Sequence, residues 1–125
     1  MESRRIFINC SNHPSRYWSR EQIEAAEQYG EVVDIRFPIV DPGMNEEEIA
    51  ALAERMSRKI LYYRPDTVMC QGEFTLTYAI VQRLKGKKIR VMAACSKREV
   101  KEIHVPSGIR KEVTFRFERF REYVT

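Results

Sequence analysis

The sequence is poor in the residues that mark disulfide-bonded or zinc-binding proteins. It has three cysteines and two histidines in 125 residues. The cysteines, Cys10, Cys70 and Cys95, are odd in number, lack CxxC spacing and each end an apolar run. That pattern favours buried free thiols in a reducing compartment. Because the only histidines are His13 and His104, we expect neither a bound metal nor another cofactor.

Long apolar runs are also missing. No run approaches the roughly 20 residues that a membrane-spanning helix needs. The first residues, MESRR, lead directly into a strand-like run and do not resemble a signal peptide. These features predict a cytoplasmic protein that does not bind membranes. With 43% hydrophobic residues, the chain is long enough to form one domain, residues 1–125, with its own core.

Positive charge is concentrated in the second half of the chain. Residues 1–65 carry 9 Lys and Arg against 11 Asp and Glu, a balance of −2, whereas residues 66–125 carry 13 against 7, a balance of +6. The asymmetry suits either an anionic partner or a solvated basic surface. The phosphate-binding motifs GxGxxG and GxxxxGK[ST] do not occur, so the sequence has no fingerprint of a dinucleotide-binding fold or a P-loop.

Strand and helix patterns alternate along the chain. Short apolar runs predict strands at residues 5–10, 32–37, 67–70 and 89–95. Helical spacing of apolar residues fills the three intervals, and two helices begin with capping signals, Ser19 before Gln22 and Asn45 before Glu48. This order predicts a single Rossmann-like α/β domain. Its mainly parallel sheet, of order 2-1-3-4, is flanked by three helices and followed by an antiparallel hairpin at about residues 99–120.

Three polar segments follow the predicted strands. They are residues 11–16, 71–75 and 96–98. In an open α/β sheet, ligands bind beyond the carboxyl ends of the strands, where the strand order reverses. That point lies between the first and third strands. We therefore expect the three segments to converge on one site.

The first polar segment offers hydroxyl, amide, imidazole and guanidinium groups. His13 is suited to act as an acid, a base or a phosphate donor, or it is simply solvated. Arg16 has the forked donors that bind phosphate. Cys10 beside His13 could be a nucleophile, but inert buried thiols are the favoured interpretation. Tyr17 and Trp18 could stack a base, although core packing suits Trp18 better.

The other two segments carry a glycine, a carboxylate and two cations. Gly72 would allow the backbone to approach a ligand, and the free N–H groups at the start of the third helix would favour an anion. Glu73 could be a carboxylate at the helix start, a general base or an acceptor for a ribose or base. A capped turn without any ligand is the alternative. Lys97 and Arg98 either neutralise phosphate or are exposed surface charges.

Three stretches between residues 4 and 100 read FINCSNHPS, CQGEFTLTYAIVQRL and AACSKREV. In their layout the chain resembles the small accessory proteins of type III CRISPR systems, which have CARF-like folds and bind or degrade cyclic oligoadenylate. The resemblance implies a homodimer and a metal-independent ring nuclease. In that mechanism a ribose 2′-hydroxyl is aligned with the neighbouring phosphodiester.

The resemblance also implies roles for individual residues. Proton transfer falls to His13 or Glu73. The ring would be held by Ser11, Asn12, Gln71, Gly72 and Thr75, next to Ser96, and its phosphates would be bound by Arg16, Lys97 and Arg98.

Three other functions remain open. The first is a non-catalytic sensor or sponge for the cyclic nucleotide. The second is a nucleoside or sugar-phosphate hydrolase or transferase that uses Glu73. The third is an interaction protein whose basic hairpin binds nucleic acid, which is the less favoured partner.

Overall fold

The computed structural model describes residues 4–124, and within that range the chain forms five strands and three α-helices. A 3-10 turn at Ser15–Tyr17 precedes the first helix. The elements, in chain order, are β1 (Ile6–Ser11), α1 (Arg20–Glu27), β2 (Glu31–Arg36), α2 (Glu46–Leu61), β3 (Thr67–Cys70), α3 (Phe74–Gly86), β4 (Arg90–Val105) and β5 (Gly108–Glu122). No helix in this range is long and apolar enough to span a membrane.

The strands form one sheet in the order β2-β1-β3-β4-β5. The first four are parallel, and β5 pairs antiparallel with β4. This arrangement confirms the predicted α/β fold, the order 2-1-3-4 and the C-terminal hairpin. The strand order reverses between β1 and β3, so the carboxyl ends of these strands border the expected binding region.

The predicted capping signals are present at the starts of α1 and α2. The Ser19 hydroxyl accepts a hydrogen bond from the Gln22 N–H at 3.2 Å. Asn45 and Glu48 form a reciprocal capping box, with distances of 2.8 and 3.2 Å. These bonds satisfy N–H groups that have no partner inside the helix, so both helices begin where the local sequence provides acceptors.

Two hydrophobic clusters cover the two faces of the sheet. The larger cluster packs α2 and α3 against β1, β2, β3 and β4. The smaller packs α1 against Phe7, Met69 and Met92, and Phe120 of β5 completes it. Tyr123, just after β5, donates its hydroxyl to the Cys70 carbonyl at 2.7 Å. Phe120 and Tyr123 thus attach the end of the chain to the body of the sheet.

The hairpin is longer than predicted, and the boundary at residue 99 is wrong. Cross-strand pairing runs from Met92 and Glu122 to Val105 and Gly108, with a register shift at Cys95/Ser96. Residues 96–98 are therefore part of β4 and do not form a loop. Their polar character reflects exposure, because β3 pairs with β4 only as far as Met92. We call the part of the hairpin that extends beyond the shift, residues 96–117, the arm.

Candidate functional site

A trough of about 820 Å³ lies at the carboxyl edge of the sheet. One wall is the segment between β1 and α1, and the opposite wall is the base of the arm. The floor is formed by the ends of β3 and β4. The trough brings together six of the residues predicted from sequence, which are Ser11, Asn12, His13, Gln71, Gly72 and Ser96.

Gln71 links the two strands of the floor. Its side-chain oxygen accepts a hydrogen bond from the Ala94 N–H at 2.5 Å, and its own N–H donates to the Cys10 carbonyl at 3.1 Å. Gln71 therefore orients the end of β3 relative to both neighbouring strands. Its side-chain NH₂ group makes no hydrogen bond with another described residue, so it is the part of Gln71 that a ligand could use.

Gly72 is required by packing. A Cβ atom at this position would lie 2.4 to 2.5 Å from ring carbons of Phe37, which is buried. We expected Gly72 to let the backbone approach a ligand. The backbone instead approaches the Phe37 ring in the core. Gly72 still lines the trough through its backbone.

The wall formed by the β1–α1 segment is held by a polar network. Asn9 is only 1% exposed, and its side-chain NH₂ donates to Asp34 Oδ1 and to the His13 carbonyl, both at 2.9 Å. The Ser11 hydroxyl donates to Asn9 Oδ1 at 2.7 Å. On the outside of the segment, the Ser15 N–H and hydroxyl donate to Asp34 at 3.0 to 3.2 Å.

Asn9 and Asp34 were missed by the sequence interpretation. Each is a polar residue inside a strand, flanked on both sides by apolar residues, and the two are direct partners in the β1–β2 register. A polar residue inside each of two neighbouring predicted strands is the signal that could have identified this pair. The network fixes the backbone of the wall, while the side chains of Asn12 and His13 stay exposed at the trough.

Aromatic rings stand on both walls. Tyr17, 72% exposed, lies on the β1–α1 wall, and Phe115, 69% exposed, lies on the arm. Trp18 and Phe117 also line the trough, but both pack against Phe120 in the smaller cluster. The Trp18 ring N–H donates to the His13 carbonyl at 3.1 Å, which adds a further anchor for that wall.

The charges on the trough wall come mainly from the arm. The Arg116 guanidinium lies 3.6 Å from Glu99 and 3.4 Å from Glu118. These are exposed ion pairs, which contribute little to stability and can exchange partners. Lys97 is the direct cross-strand neighbour of Arg116. Lys97 and Arg98 are exposed on β4 and do not line the trough.

Glu73 and Thr75 lie outside the trough. They line a separate hollow beside the start of α2. The Glu73 carboxylate accepts hydrogen bonds from the N–H groups of Thr75 and Leu76, both at 2.9 Å, and from the Thr75 hydroxyl at 2.7 Å. These bonds lower the pKa of Glu73. Glu73 is thus the N-cap of α3, and it occupies two of the N–H groups that we expected to attract an anion.

Arg16 and Cys10 are also separated from the trough. Arg16 lies behind the β1–α1 wall, in a hollow shared with Asn12 and Asp34, and its guanidinium is 4.7 Å from the centre of the Tyr17 ring. Cys10 is fully buried beside Cys70, and the hydrogen bond between the two thiols, together with burial, raises the pKa of the Cys70 thiol. A ligand in the trough cannot reach Cys10, whose sulfur belongs to the larger cluster. Within residues 4–124, no three His, Cys, Asp or Glu side chains are grouped to hold a metal ion.

Comparison with known proteins places the chain in a family. The model of the uncharacterized protein MJ1673 family matches residues 5–121. No curated protein matches the chain. Because the family model covers nearly the whole sequence, the chain belongs to the MJ1673 family.

Proposed function

We propose that this member of the MJ1673 family binds a nucleotide-type ligand in the trough, and that the ligand is cyclic oligoadenylate. The observation that carries the proposal is the pair of exposed rings, Tyr17 and Phe115, on opposite walls of a polar floor. Aromatic side chains stack nucleobases and contribute about 1–3 kcal/mol per base. Amide and hydroxyl groups between the rings, from Gln71, Asn12 and Ser96, are suited to the polar edges of a base or ribose.

The size of the trough agrees with a ligand of this class. Its volume of about 820 Å³ falls within the range of roughly 300–1,000 Å³ that is usual for small-molecule sites. A cyclic oligonucleotide repeats the same unit around its ring. The trough would therefore contact one repeat of the ring, and the homodimer that the resemblance implies would present two such troughs.

The phosphates would be bound by cations of the arm. Arg116 lines the trough, and its cross-strand neighbour Lys97 lies beside it on β4, outside the trough. Two like charges in directly opposite positions repel each other, and a bound anion relieves that repulsion. A phosphate would compete with Glu99 and Glu118 for the Arg116 guanidinium. Arg16 and Arg98 are further from the trough and would act on the approach of the ligand rather than in its bound state.

Phosphodiester cleavage is a second candidate function, and one observation favours it. The His13 imidazole is exposed on the trough wall while its backbone carbonyl is held by Asn9 and Trp18. In a metal-independent cleavage, the ribose 2′-oxygen bonds to phosphorus and the bond to the 5′-oxygen breaks. The products are a 2′,3′-cyclic phosphate and a 5′-hydroxyl. His13 would accept the 2′-hydroxyl proton, and the leaving 5′-oxygen would take a proton from water. Glu73 is less suited to this role because its carboxylate caps α3 outside the trough.

Binding and cleavage can be tested together. The purified protein is titrated with cyclic tetra- and hexa-adenylate, with AMP and with cyclic oligoguanylate in a calorimeter, and the products are separated by chromatography. We expect tight binding of one adenylate ring. Tyr17→Ala and Phe115→Ala should each weaken it about tenfold, equivalent to about 1.4 kcal/mol. Tyr62→Ala, which removes an exposed ring on α2's C-cap, should not.

The outcomes separate the candidate functions. Retained ligand without a linear product indicates a sensor or sponge. A product that disappears in His13→Ala with unchanged affinity indicates a ring nuclease. If no nucleotide binds, the proposal is wrong. Turnover of a nucleoside or sugar phosphate that is lost in Glu73→Ala would favour the hydrolase or transferase instead.

A further inference from the structure

One face of the arm carries exposed apolar side chains interspersed with charged and polar ones. Directly paired residues of an antiparallel ribbon share a face, and alternate pairs point the same way. The face that includes Phe117 also carries the pairs Arg98–Phe115, Val100–Val113, Glu102–Lys111 and His104–Ile109. The four outer apolar residues remain widely accessible, at 69% for Phe115, 60% for Ile109, 47% for Val100 and 45% for Val113.

This face continues a surface that is buried elsewhere in the molecule. Phe117 packs against Phe120 with their ring centres 5.0 Å apart, and Phe120 belongs to the cluster beneath α1. Past Phe117 the apolar residues of the ribbon stay exposed, and within residues 4–124 β5 is the only strand that pairs with this part of β4. The opposite face of the arm is charged, with Lys97, Glu99 and Lys101 on β4. The ribbon therefore has one face for solvent and one that lacks its covering layer.

We propose that a second copy of this chain covers the apolar face, with the two arms packed face to face and running in opposite directions. The two-fold axis passes through the Val100–Val113 pair. This inference does not rest on the nucleotide proposal, although both use Phe115. Its test is made without nucleotide and changes Arg98, Val100 and Glu102, which do not line the trough. It commits to a surface and an orientation, which the resemblance to CARF-like proteins does not provide.

The charges on the face are self-complementary about that axis. Arg98 and Glu102 lie two positions on either side of Val100. A two-fold axis perpendicular to the strands exchanges these positions, so Arg98 faces Glu102 of the partner subunit. By the same operation, Phe115 faces Lys111 of the partner subunit, a cation–π pair. Phe117 faces Ile109 of the partner subunit. An isologous dimer requires that one patch complement itself in this way.

The opposite direction of the arms follows from the position of α1. This helix packs on the same side of the sheet as the apolar face of the arm. If the two arms ran in the same direction, both α1 helices would lie between the two sheets and hold the arms apart. With the arms reversed, the two bodies lie at opposite ends of the paired ribbons, so the apolar faces can meet.

The proposed dimer brings the partner's arm tip to the trough. His104 is eight residues from Ser96, a distance of about 27 Å at 3.4 Å per residue. Because the axis lies midway between them, His104 of the partner subunit is placed over Ser96 at the trough rim. Each trough would then be closed on one side by the other copy, which adds an imidazole to its boundary.

The test is the mass of the full-length protein in solution, measured without nucleotide by light scattering after size exclusion and by sedimentation velocity. We expect a dimer, twice the 14.8 kDa of one chain. Val100→Lys places two cations together at the axis and should give a monomer. Lys101→Glu, on the opposite face of the same strand, is the matched control and should stay dimeric. Circular dichroism and thermal melts verify that each variant is folded.

A charge exchange distinguishes the interface from a folding effect. Arg98→Glu alone and Glu102→Arg alone should each shift the equilibrium towards monomer by at least tenfold in Kd, because each places like charges across the axis. The double variant Arg98→Glu/Glu102→Arg restores opposite charges and should dimerise again. A wild-type monomer at about 100 µM, a dimer that survives Val100→Lys, or a double variant that stays monomeric would overturn the proposal.

Discussion

The side-chain NH₂ of Asn9 donates a 2.9 Å hydrogen bond to the Asp34 carboxylate across the β1–β2 pair, and the same group reaches the His13 carbonyl. Asn9 is buried, whereas Asp34 is exposed. This pair ties the trough wall to the edge of the sheet. The sequence of this wall is typical of a loop. Its backbone is nevertheless held by hydrogen bonds to the buried Asn9 side chain and to the exposed Asp34 carboxylate.

The first prediction concerns Asn9→Leu. The apolar side chain removes the hydrogen bonds that Asn9 makes with the Ser11 hydroxyl, the His13 carbonyl and Asp34. We therefore expect a loss of about 1–3 kcal/mol in the free energy of unfolding, measured by urea denaturation. Ligand affinity in the trough should fall as well, because the wall is less ordered. Glu24→Gln, an exposed change on α1, is the control. Unchanged stability in Asn9→Leu would show that the network does not hold the wall.

The second prediction concerns Gly72→Ala. The added Cβ overlaps the Phe37 ring at 2.4 to 2.5 Å, and the core must shift to relieve the overlap. We expect a loss of about 1–3 kcal/mol in the free energy of unfolding. Gly86→Ala is the control, since a Cβ atom there meets nothing within 4 Å. The double variant Phe37→Leu/Gly72→Ala should lose less stability than the sum of the losses in the two single variants. The smaller side chain at position 37 leaves space for the added Cβ atom.

Local signals were enough to predict the fold. Capping residues such as Ser19 and Asn45 act within three residues, and the alternation of strand and helix limits the possible sheet orders. The extent of β4 could not be predicted in this way. Residues 96–98 are polar, and a polar run after an apolar strand is typical of a loop. Their strand conformation depends on hydrogen bonds with β5, about 20 residues further along the chain.

The lining of the trough was predicted in part for the same reason. Ser11, His13 and Gln71 reach the trough because each closely follows the end of a strand or belongs to that end, and strand ends meet at one edge of a parallel sheet. Arg116 and Phe115 were missed because they reach the trough only through the register of the arm. The sequence correctly predicted that Glu73 lies in the turn between β3 and α3. It could not predict whether the Glu73 carboxylate would bind a ligand or the N–H groups at the start of α3.

The third prediction concerns the role of the Glu73 carboxylate as the N-cap of α3. Glu73→Ala removes the acceptor for two N–H groups of α3, so we expect a loss of roughly 1 kcal/mol in the free energy of unfolding, the usual cost of a lost N-cap. Glu73→Asp, a shorter cap, should recover part of it. Nucleotide affinity should be unchanged in both variants. A fall in affinity or turnover without a fall in stability would assign Glu73 to a site and not to the helix.

Glu73 also predicts a pH dependence. Its pKa in the folded protein lies below its ordinary value of 4.5, because the Thr75 hydroxyl and the N–H groups of Leu76 and Thr75 stabilise the carboxylate. Because the pKa of Glu73 is lower in the folded protein, its carboxylate contributes to the free energy of unfolding above pH 4.5. This contribution is lost as the pH falls through the folded pKa. The difference in the free energy of unfolding between wild type and Glu73→Gln should therefore shrink in acid, measured by urea denaturation from pH 7 to pH 3.

The last prediction concerns the contact that fastens the chain end to the sheet. Tyr123→Phe removes the hydroxyl that donates to the Cys70 carbonyl at 2.7 Å, and we expect a loss of about 0.5–1.5 kcal/mol in the free energy of unfolding. Burial raises the pKa of Tyr123 from 10.0 to about 12. A raised folded pKa means that this contribution is complete below pH 10 and is lost as the pH rises through about 12. Wild type should lose stability faster than Tyr123→Phe over that window. Tyr62→Phe, which alters an exposed ring, should follow wild type, and equal slopes for Tyr123→Phe and wild type would contradict the assignment.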